Sequence, residues 1–460
     1  MLLGVTSLLA ALPAAASSAA ERINFGLTNT WLGFLAVGIF VVAYAFVVME
    51  ERTHLRKSKP VMLGAALIWT LTALAAVLNP ALGVDAAQRA FSAIFLEFAQ
   101  LFFFLVVAMA YVSAMTERHV FEALRSQLVA RKFSYRQLFW ITGVLAFFIS
   151  AWLDNLTTAL IFSAVILSVG AGNARFISVS FVGLVVAANA GGAWNAFGDI
   201  TTLMVWQARK ADFLEFWALF VPSVVNYLVP AALMHFAIPQ GQPSAASDQA
   251  AVKSGGFIIC GFFALTIAIT VAAKYFLHMP PVFGMMCGLV ILNVAGFLIK
   301  RHERQNQRDY DVFKAVANAE WDTLLFFYGV LLCVGGLATL GYLELASMHL
   351  YEGVGHFWAN VAMGTLSAVV DNIPIMYAVL QMNPPMDQGQ WLLITLTAGV
   401  GGSMLSVGSA AGVALMGQSR GMYTFFSHLK WTWAVALGYA MSILTHALWN
   451  HAQFSNGLWR

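Results

Sequence analysis

Apolar runs with few or no charges recur along this chain from residue 31 to residue 449. A helix needs roughly 20 such residues to cross the hydrocarbon core of a bilayer. Ten runs read as spans: 31–49, 61–78, 94–115, 177–206, 214–238, 256–278, 281–299, 321–340, 391–416 and 431–449. Two others, 138–170 and 358–381, carry polar residues at their middles and read as re-entrant hairpins. A closed barrel also satisfies its backbone in lipid, but it needs short alternating segments, and these runs are long and continuous. The expected fold is an all-α polytopic membrane protein. Composition excludes the soluble alternative: 60% of the 460 residues are hydrophobic and 10% charged, against a soluble norm of roughly 25% charged. The net charge of +3 gives no case for a nucleic-acid partner. Cys260, Cys287 and Cys333 all lie in apolar runs, which suits core packing rather than disulfides or zinc.

Loop charges set the orientation, because Lys and Arg accumulate on the cytoplasmic side. With the N-terminus outside, the inner loops take Arg52, Arg56, Lys57, Lys59, Arg118, Arg125, Arg131, Lys132, Arg136, Arg175, Lys253, Lys300, Arg301, Arg304, Arg308, Lys314, Arg420 and Lys430. These are 18 of the 24 basic residues, and they place both termini outside. The stretch 116–137 mixes charges with apolar residues and is expected to lie along the inner surface as an amphipathic helix. Residues 1–20 end in small residues like a signal peptide, with an uncleaved N-terminal helix as the alternative. The Pro/Ser/Gly-rich stretch 239–255 is the one linker, near the midpoint.

Across that linker three landmarks recur in order. Glu97 to Phe104 matches Glu320 to Phe327, Leu153-Asp154-Asn155 matches Val370-Asp371-Asn372, and Gly191-Gly192 with Gly198 matches Gly401-Gly402 with Gly408. The first segment runs toward a basic loop, 116–137, and the second starts from one, 300–320. The two copies thus enter the membrane from opposite sides, the pattern of secondary transporters whose site lies at the midplane between inverted repeats. The organisation read from this is a signal-like segment 1–20, N-terminal helices over 21–90, a first repeat over 91–238 and the linker. Central helices and an inner loop over 256–319, a second repeat over 320–449 and a tail over 450–460 complete it.

Polar residues at membrane depth mark the candidate site. A carboxylate at the bilayer centre costs at least roughly 2.5–3.5 kcal/mol, so it is usually paired, protonated or functional. The first hairpin carries Ser150, Asp154, Asn155, Thr157 and Thr158; the second carries Ser367, Asp371, Asn372 and Pro374. Each Asp also suits a helix N-cap, and broken helices with capped ends are how transporters present carbonyls to a cation. The break in 177–206 contains Asn189, Asp199, Thr201 and Thr202; that in 391–416 contains Ser403, Ser406 and Ser409 but no acid. Such an oxygen-only set suits a hard cation, with amide and hydroxyl oxygens completing a shell around a carboxylate. Charge is therefore expected mainly in the first half, with Asp154, Asp199 and Asp371 as the carboxylates that would meet the cation. Glu97, and Glu320 or Asp322, read as acids near the starts of equivalent helices, either stabilising them or acting as proton or pH-sensing groups. The histidines in loops and span ends, and His446 within the last span, are not singled out.

The Leu-Asp-Asn-Leu-Thr-Thr and Asp-Asn-Ile-Pro motifs, with Asn189 to Thr202, resemble those of the NhaD-type sodium/proton antiporters of the ion transporter superfamily, over about residues 30 to 450. The resemblance implies exchange of cytoplasmic Na+ or Li+ for external protons in the inner membrane of a Gram-negative bacterium, with no cofactor. It carries the site to Asp154, Asn155, Asn189, Asp199, Thr201, Thr202, Ser367, Asp371, Asn372, Ser406 and Ser409, and suggests facing hairpins, an elevator-like motion and a homodimer. The signal-like N-terminus is also similar to that family, whereas Gln100 one turn from Glu97 leaves open which position supplies an acid there. An anion carrier of the same superfamily, for dicarboxylate or arsenite, is the alternative function; acidic hairpin tips would repel its cargo. An intramembrane aspartyl protease lacks its Gly-x-Gly-Asp signature here, since Ala196-Phe197-Gly198 precedes Asp199.

Overall fold

The computed structural model of the protein describes residues 23–131, 133–170, 173–242, 251–302, 316–317, 319–455 and 457. The signal-like segment 1–20, the heart of the linker and most of the loop 300–319 lie outside the described residues. Among those described there is helix and no strand, as expected where no water reaches the backbone and each segment bonds within itself.

Two groups of helices pack together. The first comprises α1 (Trp31–Val48), α2 (Ser58–Leu78), α3 (Val84–Glu117), α10 (Gly256–Leu277), α11 (Pro281–His302) and α12 (Trp321–Leu340). Apolar faces supply its mass and a few polar bridges its register. Trp69 Nε1 on α2 donates to the Leu332 carbonyl on α12 (2.9 Å). Tyr111 on α3 donates to the Gly288 carbonyl on α11 (2.8 Å) and pairs with Thr266 on α10. Large apolar side chains such as Phe34, Val41 and Val42 of α1 and Val290, Val294 and Phe297 of α11 point outward, as they do where the solvent is lipid tails.

The second group holds α5 (Tyr135–Leu153), α6 (Asn155–Val169), α7 (Ala174–Gly192), α8 (Ile200–Gln207) and α9 (Phe220–His235), then α13 (His356–Leu366), α14 (Asn372–Met382), α15 (Gln388–Gly401), α16 (Ala410–Gln418) and α17 (Thr432–Trp449). Here α5 lies on α7 and α13 on α15, and α9 pairs with α17. The two helix pairs share their contacts. Ser150 Oγ donates to the Ala188 carbonyl (2.6 Å) and Ser367 Oγ to the Ala398 carbonyl (2.9 Å). A Cβ on Gly191 would collide with the Phe147 carbonyl, and one on Gly401 with the Gly364 carbonyl. Only glycine permits those two backbone approaches.

Among the described residues eight helices are long and apolar enough to cross a membrane, including Tyr135–Leu153, which the sequence placed in a hairpin. Three predicted spans are not among them. The run 391–416 is two short helices, because Gly401 to Ser409 unwinds it; α17 carries Thr432, Ser442, Thr445 and His446 among its apolar residues; α11 is described with its side chains only to residue 297. The run 177–206 is likewise broken after Gly192. The amphipathic stretch forms α4 (Val120–Ala130), which buries Ala123 and Leu128. A further correction concerns Glu97. The helix holding it begins at Gly83, whose positive φ of 79° starts the turn, so Glu97 lies within α3 and gains nothing from a helix N-terminus. Glu320 and Asp322 do stand at one, as N-cap and first-turn residue of α12.

Contacts between distant loops define two ends of the bundle. At one, Ser58 Oγ donates to Asp322 (2.5 Å) and Lys57 lies 4.6 Å over the Phe326 ring. Arg118 exchanges backbone and side-chain bonds with Lys253 and Ser254 on the same side as this end of α3. At the other, Asn24 donates to Glu344 and Lys210 to Asn383, and Asn450 Nδ2 donates to the Ala218 carbonyl (2.9 Å).

Candidate functional site

Four half-helices, α6, α8, α14 and α16, begin where α5, α7, α13 and α15 stop. Their N-cap residues are Asp154, Asp199, Asp371 and Ser409. Three of four positive helix ends therefore carry a carboxylate, the charge the macrodipole favours there. Asp154 binds Thr157 twice, through its backbone amide (2.9 Å) and its hydroxyl (2.7 Å). Asp199 accepts from the Thr201 amide (3.4 Å), while Thr202 Oγ1 turns back to the Asp199 carbonyl (2.7 Å). Ser409 accepts from the Gly412 amide (3.3 Å). Asp371 makes no capping bond, and its Oδ1 is buried with no hydrogen-bond partner.

The hairpin tips meet on Asp199. Asn155 Nδ2 from the first tip donates to Asp199 Oδ2 (3.1 Å), and Asn372 Nδ2 from the second donates to the same oxygen (2.8 Å). Asn155 Nδ2 also donates to Asn189 Oδ1 (2.9 Å), and Asn189 Nδ2 to Ser403 Oγ (2.8 Å). One hydrogen-bonded network thus joins both tips and both breaks. All of these side chains are buried, Asp199 at 3% exposure. Burying a carboxylate is costly unless it is hydrogen-bonded, and the two amides with the Thr201 N–H supply that compensation.

Beside the network lies a cavity of about 70 Å³ lined by Asp154, Asn155, Thr157, Asp199, Asn372 and Glu320. At about 10–15 Å³ of such space per water, it has room for a small ion with a few waters. The hydroxyls of Thr158, Thr201 and Ser406 are buried with no hydrogen-bond partner, but none of them lines this cavity, whose neutral oxygens include those of Asn155, Thr157 and Asn372. Among the described residues no three His, Cys, Asp or Glu side chains gather as a metal cluster. Like charges are instead spread over separate helix ends, and three of them, Asp154, Asp199 and Glu320, line this cavity.

Several predicted residues stand elsewhere. Ser150 and Ser367 are committed to neighbouring carbonyls, as described above. Glu97 faces a second, larger cavity of about 1120 Å³, where Tyr377 Oη and Gln381 Nε2 of α14 donate to it (3.0 Å each). Glu320 accepts from Thr323 Oγ1 (3.2 Å) and reaches the small cavity. The sequence did not single out Tyr44, whose hydroxyl accepts the Asp371 N–H (3.2 Å) from 327 residues away. Ser403, which the sequence placed in the second break, is brought by the fold to Asn189, 214 residues away.

Residues 44–399 match a family described as a citrate transporter. Near full-length relatives carry a narrower name, Na(+)/H(+) antiporter NhaD. The protein from Alkalimonas amylolytica is 50% identical over 98% of this chain and 97% of its own. Those from Vibrio cholerae and Halomonas elongata are 48% and 49% identical, over 96% and 95% of this chain and 97% and 93% of theirs. With such identity across both lengths, the chain belongs to the NhaD-type sodium/proton antiporters.

Proposed function

We propose that the chain exchanges cytoplasmic Na+, or Li+, for external protons by alternating access. The observation that carries this reading is the convergence of both hairpin tips, through Asn155 and Asn372, on the buried carboxylate of Asp199. A carboxylate binds either a proton or a cation. Protonation removes the charge that holds Na+, and Na+ displaces the proton, so the two cargoes exclude each other at Asp199, Asp154 and Asp371. Half-helix C-terminal ends at Leu153, Gly192, Leu366 and Gly401 offer backbone carbonyls to the ion. Alternating access then turns competition into antiport with no separate coupling device.

The anion-carrier reading draws on the same geometry, because helix N-termini attract anions. Three of these four already hold an aspartate as N-cap, and an incoming citrate would meet like charge. The cation reading is the better supported.

The matched Ser150/Ser367 and Gly191/Gly401 contacts support two repeats with opposite orientation. The first hairpin opens toward the end of the bundle that collects the basic loops and the second toward the other, where Lys210 meets Asn383. An orientation with that basic end in the cytoplasm and the termini in the periplasm of a bacterial inner membrane is the one this arrangement supports. Helices α1–α3 and α10–α12 suit the static frame of a homodimer, and the hairpin group suits the moving part. Purified protein in proteoliposomes, with a proton-sensitive dye, tests the function: Na+ and Li+ are expected to drive proton movement and citrate not to. Asp154→Asn is expected to abolish it. Citrate-driven flux with no cation response would establish the anion carrier instead.

A further inference from the structure

His428 lies outside every motif that the exchange reading uses, yet it is fully buried and doubly bonded. It stands in the short helix Phe425–Leu429 that precedes α17. Its Nε2 is 2.9 Å from the Ser403 carbonyl and its Nδ1 is 2.6 Å from the Tyr423 hydroxyl. A carbonyl only accepts, so Nε2 carries the proton, Nδ1 accepts, and Tyr423 donates. Two partners thereby fix a single tautomer. Tyr423 is held in turn, its own carbonyl accepting from Ser419 Oγ (2.9 Å).

The consequence lies at the other end of this chain of bonds. Ser403 sits in the unwound turn between α15 and α16, and its hydroxyl accepts from Asn189, which accepts from Asn155, which donates to Asp199. Thr432 Oγ1 holds the adjacent Met404 carbonyl (2.8 Å). The equivalent position in the first break is Ala193, which has no hydroxyl. The second break is therefore the one that supports the amides around the carboxylate, and His428 is what anchors it from behind.

We propose that His428, backed by Tyr423, is a positioning residue for cation exchange: through Ser403 and Asn189 it sets where Asn155 meets Asp199. This rests on the antiport reading. The group touches no cargo, so its removal is expected to weaken Na+ binding rather than the turnover of the loaded protein.

The test is Na+ titration of proton exchange by the full-length protein in proteoliposomes, with KM and kcat read separately. His428→Phe fills the space without either hydrogen bond and is expected to raise the Na+ KM about ten-fold, with kcat within about two-fold. His428→Gln keeps a donor for the Ser403 carbonyl and an acceptor for Tyr423, and is expected to return KM to within about three-fold of the unmodified protein. An unchanged KM in folded His428→Phe, or a Gln variant no better than Phe, overturns the proposal. Where His428→Phe fails to fold, Tyr423→Phe decides, with a KM rise of about three-fold expected and an unchanged KM against it. Absence of Na+-dependent exchange in the unmodified protein would instead overturn the antiport reading itself, and this proposal with it.

Discussion

The two hairpin tips share a sequence pattern and differ in how it is used. At the first, Asp154 has φ 69° and ψ 157°, a region that side-chain-bearing residues rarely enter, and its carboxylate is satisfied locally by Thr157. At the second, Asp371 has an ordinary φ of −44°, no capping bond and a buried oxygen with no partner, while its amide reaches across to Tyr44 of α1. The first tip is strained and closed on itself. The second is relaxed and open, and it touches the other helix group. A repeated motif has thus been assigned two tasks: one tip holds a carboxylate in a set place, and the other leaves a carboxylate oxygen available.

At the second tip, removing the available oxygen gives the largest expected effect on Na+ affinity. A buried carboxylate oxygen without a partner is expensive, and a bound cation or proton relieves that cost. Asp371→Asn is expected to raise the Na+ KM by about 100-fold or more, the scale of losing a buried charge partner. Na+ titration of exchange checks it. A KM within a few-fold of the unmodified protein would make the second tip a structural copy of the first and dissolve the contrast.

The strained tip offers a sharper separation of stability from activity. Strain of this kind costs about 1–3 kcal/mol and persists where the surroundings impose it. Asp154→Gly relieves it and, because glycine is itself a fair N-cap, forfeits only about a few tenths of a kcal/mol of capping. The variant is expected to melt within a few degrees of the unmodified protein while its Na+-driven proton exchange is lost. With Na+ bound, Asp371→Gly forfeits that ligand and adds about 0.4–1 kcal/mol of unfolded-chain freedom with no strain to relieve, so at saturating Na+ it is expected to lower the melting temperature. Thermal unfolding in detergent reads both, and equal destabilisation of the two variants would show that the unusual φ at Asp154 stores nothing.

Much of this was legible before the fold was known, and the reasons are local. A tip reads as Asp-Asn because a helix end needs a cap and an apolar run cannot otherwise tolerate a carboxylate; the Gly-Gly breaks read from their own composition. The difference between the tips was not legible, since φ at Asp154 and the lone oxygen of Asp371 depend on what packs around them. Glu97 was misplaced because apolarity marks where a helix meets lipid, not where its backbone starts: α3 begins 13 residues earlier at polar positions that are still helical. Tyr44 and His428 act through partners far away in sequence, and no spacing rule reaches them; for Ser403 the break was legible but its bond to Asn189 was not.

The smallest expected effect concerns the serines four residues before each Asp. Both hydroxyls donate to a carbonyl one helix away, Ser150 at 2.6 Å and Ser367 at 2.9 Å, and both carbonyls lie on the helices that end at the breaks. Replacing either by Ala leaves a buried carbonyl with one bond fewer, a loss of about 1 kcal/mol. If the serines only fasten each hairpin to its neighbour, Ser150→Ala and Ser367→Ala lower the melting temperature by a few degrees and leave the Na+ KM unchanged. If either hydroxyl also lends a lone pair to the ion, the KM of that variant rises while the stability loss stays the same. The two tips hold their serines alike and their carboxylates differently, so a KM rise at one serine alone would extend the contrast between the tips down to the residues that anchor them.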